Sequence, residues 1–399
     1  MKLEELPIEF EQARPVLQTL ESAGFEAYFV GGCVRDTILG KPLHDVDIAT
    51  SAYPEEVKRL FSRTVDTGID HGTVMILDHG TGYETTTFRS ESTYTDFRRP
   101  DEVTFVRDLA EDLKRRDFTI NALAMKEDGT VIDLFNGLAD LEHHVIRAVG
   151  NPEERFHEDA LRMMRAVRFA SQLAFNIEPE TQQAIKDNAA LLTKIAVERI
   201  QVELIKLLTG KAPQMGWSPF MQTNLATYCP TFAAYPAGLS RISNRLTQAC
   251  PDELSAWTLL ATAFQLTSTE TAGFMRTWKT SNVLNQAVVL ATKAAETLLQ
   301  ESLATTMLYR TGRANLLAAN FVAHELGAPD RQPELEQAYD ELPIKTKKEL
   351  AITGRDLIQT GIQPGPQLGQ ILANLEQQVV LGQIANDPTQ LLAAAKQTD

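Results

Sequence analysis

Strand-like sequence stops less than halfway along this chain, and that asymmetry limits the folds open to it. Residues 1 to about 145 mix two kinds of pattern. "EFEQARPVLQTLESAG" and "EEVKRLF" have helical spacing, the first closed by Gly24. "EAYFVGG", "DVDIATS", "TVMIL", "YETTTFR" and "VTFV" have the β-branched and aromatic enrichment of strands. "DHGTG", between Leu77 and Tyr83, supplies turn residues for a hairpin. From about Glu153 onward the strands largely cease. "EDALRMMRAVRFASQLAF", "ETQQAIKDNAALLTKIAVERIQVELIKLL" and "LNQAVVLATKAAETLLQ" are helical in period. Joints between subdomains are expected at "TGKAPQMGWSP", "YCPTFAAYPAG" and "GAPDRQP".

Composition narrows the classes. The 399 residues are too many for one small core. No apolar run approaches the roughly 18 residues of a membrane span, and the acidic start "MKLEELPIEFEQARP" lacks an apolar signal core. Cys33, Cys229 and Cys250 are few and scattered, which fits a reducing cytoplasm without disulfides or a zinc site. A formal charge of −15 argues against indiscriminate nucleic-acid binding but leaves room for a local basic track.

Within the first half, Asp45 and Asp47 alternate inside the strand-like "DVDIATS" and would point to one face. Two carboxylates so placed suit hard cations, magnesium above all where phosphates are near. The pattern alone equally suits a solvated strand face or a turn. Its context is "YFV", then Gly31 and Gly32, then a helix in "CVRDTILG". A Gly-Gly turn from strand to helix lets backbone N–H groups approach phosphates, and Arg35 could add a charge-assisted contact. Neither a Walker A loop nor a GxGxxG fingerprint is present.

"GGCVRD", "DVDIATS", "RRDFTINALA" and "EDALRMMRAVRFA", in that order, closely resemble class II tRNA nucleotidyltransferases of the polymerase β superfamily, the CCA-adding enzymes and their bacterial poly(A) polymerase relatives. The resemblance covers roughly residues 20 to 210. It implies an α+β fold: a polymerase β-like nucleotidyltransferase head of mixed sheet and helices (1–145), then an all-α neck (146–210), body (211–330) and tail (331–399). It also implies that Asp45 and Asp47 bind catalytic magnesium (Mg2+), and that Gly32, Arg35 and Arg116 contact the nucleotide. Glu84, in "YETTTFR", is a candidate third carboxylate, although an exposed strand glutamate would look the same.

Asp159, Arg162, Arg165 and Arg168 are spaced three apart, which on one helix makes a slowly winding ridge. An amphipathic helix burying Leu161, Met164 and Val167 would have the same spacing. Beside a nucleotide the pair Asp159 and Arg162 has specific chemistry. Cytosine and adenine both place an amino donor beside an unprotonated ring nitrogen, whereas guanine and uracil place a carbonyl beside a protonated one. An aspartate that only accepts and an arginine that only donates therefore suit CTP and ATP and leave GTP or UTP mismatched. The protein itself would act as template.

"DFRRP", within residues 94 to 106, resembles the flexible loop of relatives that complete the final A addition; a basic surface loop would read alike. A primer recognised without a template must be read by shape, and "PIKTKKELAITGRD" sets Lys345, Lys347, Lys348 and Arg355 against only Glu349 and Asp356. "GIQPGPQLGQIL" adds a candidate phosphate cradle at a helix start. An ordinary solvated lysine run and a capped helix fit these stretches as well. The expectation is a cytoplasmic enzyme that adds C, C and A to tRNA from CTP and ATP. The alternatives are a poly(A) polymerase, a CC-only or A-only enzyme, and, more remotely, a non-catalytic RNA-binding protein. The resemblance allows a homodimer; the sequence itself does not reveal the assembly.

Overall fold

The computed structural model describes residues 1–43, 45–69, 72–91 and 103–396. The chain forms two compact units, Met1–Cys229 and Pro230–Asp399, and the boundary between them falls within "YCPTFAAYPAG".

The first unit is built on a seven-stranded mixed sheet. Its strands are β1 (Ala27–Val30), β2 (Ile48–Thr50), β3 (Thr64–Gly68), β4 (Thr73–Asp78), β5 (Thr81–Thr87), β8 (Leu123–Met125) and β9 (Val131–Asp133), in the order β3-β4-β5-β2-β1-β8-β9. A separate ribbon pairs β6 (Arg89–Glu91) with β7 (Val103–Phe105). The expected hairpin is β4–β5: Asp78 pairs with Thr81, and His79 and Gly80 both take positive φ, the geometry of a tight two-residue turn. β2 and β5 run parallel, with Ile48 beside Thr85, while β1 runs antiparallel to both β2 and β8.

Helices cover the sheet. α1 (Ile8–Ser22) buries Phe10, Ala13, Val16, Leu17 and Leu20 at helical spacing, and Phe10 meets Phe29 of β1 edge to face at 4.7 Å. α2 (Gly32–Ile38) leaves β1 through Gly31, and α3 (Pro54–Leu60), α4 (Leu109–Lys114) and α5 (Gly137–Glu142) follow. Val30, Ala49, Phe88, Leu113, Ala122 and Ala124 form one cluster beneath α4.

The rest of this unit is helical: α6 (Pro152–Glu158), α7 (Leu161–Leu173), α8 (Pro179–Asn188), α9 (Val197–Leu208) and α10 (Pro213–Gln222), with a two-residue pair of strands, β10 (Val145–Ile146) and β11 (Asn176–Ile177). The long helical pattern from Glu180 to Leu208 is broken by a 3-10 stretch, Ala189–Lys194, so it makes two helices. Close packing of α7 relies on glycine: a β-carbon on Gly216 of α10 would collide with the Val167 carbonyl.

The second unit is all helix: α11 (Pro236–Arg245), α12 (Glu253–Ala263), α13 (Ser268–Thr277), α14 (Asn282–Leu298), α15 (Thr305–Thr311), α16 (Arg313–Glu325), α17 (Gln332–Asp340), α18 (Gly354–Gln359), α19 (Pro366–Val380) and α20 (Pro388–Ala395). Phe232, Trp257, Phe274 and Trp278 pack as one aromatic cluster with centroids 5.3–6.5 Å apart. Among the described residues no helix is long and apolar enough to cross a membrane.

Candidate active site

The strand order brings four chain segments to one end of the sheet. β1 ends at Val30, whose N–H donates to the Asp47 carbonyl at 3.0 Å, and Gly31 N–H donates to the Leu123 carbonyl at 3.1 Å. Because β5 lies parallel to β2 with Ile48 beside Thr85, Glu84 arrives level with Asp47. Asp45 and Asp47 do not lie inside a strand, as their sequence suggested; β2 begins only at Ile48. The departure has a physical cause, since aspartate is a poor strand former. The backbone of Asp47 still extends the ladder through that bond from Val30.

Asp45 is exposed and Asp47 half-buried. Burial, then the charges of Asp45 and Glu84, push the Asp47 carboxyl up to about 6, with Arg116 pulling the other way. Among the described residues, no side chain donates a hydrogen bond to the carboxylates of Asp45, Asp47 or Glu84; the Cys33 thiol reaches only the Asp47 carbonyl, at 4.0 Å. Three carboxylates that repel one another and lack donors form a set suited to a hard cation. They do not make a closed cage: no group of three His, Cys, Asp or Glu among the described residues could hold an ion by itself. Magnesium is ordinarily held by one or two carboxylates with substrate phosphates completing its shell, so this donor set fits it. Cys33 sits nearby, but burial pushes its thiol up to about 12 and so disfavours the thiolate.

Gly31, not Gly32, is the sterically required glycine. It has φ +74°, and a β-carbon there would stand 2.8 Å from Arg116 Nη1. At Gly32 a β-carbon would meet only Arg35 Nη2, at an ordinary 3.7 Å. Arg116 donates to the buried Asp112 at 3.3 Å and to the Asn121 carbonyl at 3.4 Å, and its Nε is buried without a partner among the described residues. An arginine with an unused buried donor beside a glycine turn is equipped for an anion.

Arg35 is buried. It holds Asp36 through Nε and Nη2 at 2.9 and 2.8 Å, and its Nη1 donates to Asn121 Oδ1 at 2.5 Å. Asn121 donates in turn to Asp117 Oδ1 at 3.0 Å, and Asp117 Oδ2 accepts from Arg165 Nε at 2.6 Å. Burial alone would raise the Asp117 carboxyl, but the Arg165 charge and the Asn121 and Arg165 hydrogen bonds hold it down at about 2. One polar chain therefore links α2 at the glycine turn to α7.

The expected four-residue ridge is interrupted. Asp159 lies in the break between α6 and α7, with φ −136° and ψ 102°, so only the three arginines share a helix. Asp159 is gripped by Arg199 of α9 at 2.7 and 3.3 Å. Arg162 is buried and donates to Glu158 at 2.6 Å and to the Arg115 carbonyl at 2.8 Å. Arg168 is buried in an ion pair with Glu203 of α9, and burial draws its guanidinium below its ordinary value. The simple amphipathic alternative, with arginines in solvent, does not describe this helix. Phe169 is the common neighbour: the guanidinium carbons of Arg35, Arg165 and Arg168 stand 5.1, 5.5 and 3.8 Å from its ring centre.

Sequence reasoning missed Asp112, Asp117, Asn121, Glu158, Phe169 and Arg199. Asp117 and Asn121 were findable as the polar residues of "RRDFTINALA"; Arg199 carries no local signal. Residues 94 to 102 of the expected loop lie outside the described residues, and its end forms β7.

Family models match in sequence order: a Poly A polymerase head domain over residues 27–147, a "Probable RNA and SrmB- binding site of polymerase A" over 174–235, and tRNA nucleotidyltransferase domain 2 over 248–395. The CCA-adding enzyme of Levilactobacillus brevis is 66% identical over 394 residues, 99% of each chain. That of Lactiplantibacillus plantarum is 58% identical, over 99% of this chain and 98% of its own. The chain belongs to the CCA-adding enzymes. The Bacillus stearothermophilus CCA-adding enzyme in complex with CTP superposes with a TM-score of 0.88 at 39% identity, over 98% of both chains. As a CCA-adding enzyme it is a nucleotidyltransferase that adds C, C and A to the 3′ end of tRNA from CTP and ATP without a nucleic-acid template. Full-length identity to CCA-adding enzymes decides against the poly(A) polymerase and non-catalytic alternatives.

Proposed function

We propose that the end of the sheet at Gly31, Asp47 and Glu84 is where the tRNA 3′-hydroxyl attacks the α-phosphate of CTP or ATP in line, releasing pyrophosphate. The observation that carries this reading is the convergence of the positive-φ Gly31 at the end of β1, Asp47 at the start of β2 and Glu84 level with it on β5. Asp45 and Asp47 would hold magnesium, with Glu84 at hand as a third carboxylate. When bound, the ion stabilises negative charge on the α-phosphate and the departing pyrophosphate. Arg116, whose Nε has no partner among the described residues, and Arg35 take the triphosphate, and the backbone at Gly32 lies against it.

Asp159 and Arg162 read the base. The carboxylate accepts from the amino group and the guanidinium donates to the ring nitrogen, so CTP and ATP fit and GTP and UTP do not. Arg165 and Arg168, held by Asp117 and Glu203, set the helix that carries Arg162. In the second unit Lys347, Lys348 and Arg355 are exposed and offer phosphate contacts to tRNA, while Lys345 is turned to the carbonyls of Asp340 and Leu342. Sedimentation of the free enzyme reads its assembly, for which the resemblance allows a homodimer.

The test is extension of a tRNA transcript lacking its CCA end, with CTP alone, ATP alone and both. Wild type should add two C with CTP and a terminal A only with both. Asp47→Asn should add nothing; turnover in that variant removes the metal assignment.

A further inference from the structure

We propose that Arg199 is a positioning residue for base selection: it fixes the Asp159 carboxylate so that one oxygen remains to accept from the amino group of cytosine or adenine. The inference rests on the reading of Asp159 given above. Asp159 sits in the break between α6 and α7, outside both helices. Two groups fix its side chain, the first N–H of α7 and Arg199. Oδ1 accepts from Leu161 N at 3.0 Å and from Arg199 Nη1 at 3.3 Å. Among the described residues Oδ2 accepts only from Arg199 Nη2, at 2.7 Å. Each carboxylate oxygen has room for about two hydrogen bonds. Oδ1 is filled, and Oδ2 keeps one acceptor position, aimed by the two-point grip.

The partner group is held in the same manner. Of the five N–H groups of Arg162, three are used among the described residues, by Glu158 Oε2, the Arg155 carbonyl and the Arg115 carbonyl. Two remain for a ring nitrogen. Neither Asp159 nor Arg199 is sealed in the core, their side chains being 17% and 27% exposed.

Rigidity here bears on refusal as much as on binding. A carbonyl oxygen of uracil or guanine is rejected only if the carboxylate facing it cannot swing aside and admit water between them. Freed from Arg199, Asp159 keeps its charge but loses that constraint. The loss should fall on the correct nucleotide, while the wrong one is refused less firmly.

The experiment is single-nucleotide addition by the full-length enzyme on a tRNA transcript lacking CCA. It uses CTP, UTP and the CTP analogue in which hydrogen replaces the C4 amino group. Arg199→Gln should lower kcat/KM for CTP by about 10–100-fold and cut the CTP-to-UTP ratio at least tenfold, with little change on the analogue, which has no amino group for Asp159 to accept from. Equal losses on all three substrates, or no loss, overturn the proposal. Arg199→Lys keeps the charge without the two-point grip and should fall between; it supplies the same comparison if Arg199→Gln does not fold. Asp159→Asn separates the two claims. If it leaves the CTP-to-UTP ratio unchanged, the base-reading role of Asp159 fails. If it shifts the ratio and the Arg199 variants do not, only the role of Arg199 fails.

Discussion

Nη1 of Arg116 lies where a β-carbon on Gly31 would come within 2.8 Å, so the glycine turn and this arginine occupy adjoining space. Gly31→Ala therefore meets two obstacles, the positive φ and the guanidinium. The variant should lose about 1–3 kcal/mol of stability and bind CTP more weakly. A thermal melt and a CTP titration check both. Unchanged CTP affinity would separate Arg116 from the triphosphate.

Asp45→Ala should abolish nucleotide addition and leave tRNA binding near that of wild type. Parallel extension and tRNA filter-binding assays read the two quantities separately. Loss of both together would point to a damaged fold.

The Asp117 carboxyl lies at about 2 against an ordinary 3.8. A carboxyl depressed on folding stabilises the native state above its unfolded value, and that contribution is lost as pH falls through the folded value. Asp117 thus supports the fold above about pH 4 and ceases to do so near pH 2. Arg165→Gln removes the main opposing charge and should move acid unfolding to higher pH, as circular dichroism between pH 2 and 5 would show.

Arg168 and Glu203 are both buried, so removing one strands the other. Glu203→Ala should cost about 3–5 kcal/mol, and replacing both partners with apolar side chains should recover most of it. Denaturant unfolding of the single and double variants tests this. A small cost for the single variant would release Arg168 for a direct part in nucleotide binding.

Lys347, Lys348 and Arg355 are exposed on the second unit. Replacing each by Gln should weaken tRNA binding and flatten its dependence on log salt concentration by about 0.7–0.9 for each phosphate no longer neutralised. Binding isotherms across salt concentrations check it, and an unchanged slope would place the tRNA elsewhere.

Much of this was legible in sequence wherever a signal is local. The β4–β5 hairpin follows from "DHGTG", and the paired aspartates and the Gly-Gly turn mark one end of the sheet before any fold is known. Strands β8 and β9, of three residues each, are too short to show alternation. The start of β2 is displaced because Asp45 and Asp47 resist strand geometry. Long-range pairing was invisible: Glu203 lies 35 residues from Arg168, and Arg199 lies 40 from Asp159. A run of spaced arginines looks the same whether its partners are solvent, phosphates or buried carboxylates.

Three guanidinium groups share the ring of Phe169, and they come from two elements, α2 and α7. Sequence change at any of these four positions is felt by the other three, so their effects should not add. Lineages of this enzyme would be expected to alter the quartet together or not at all. Anyone re-engineering that corner of the fold will find one coupled variable there, not four dials.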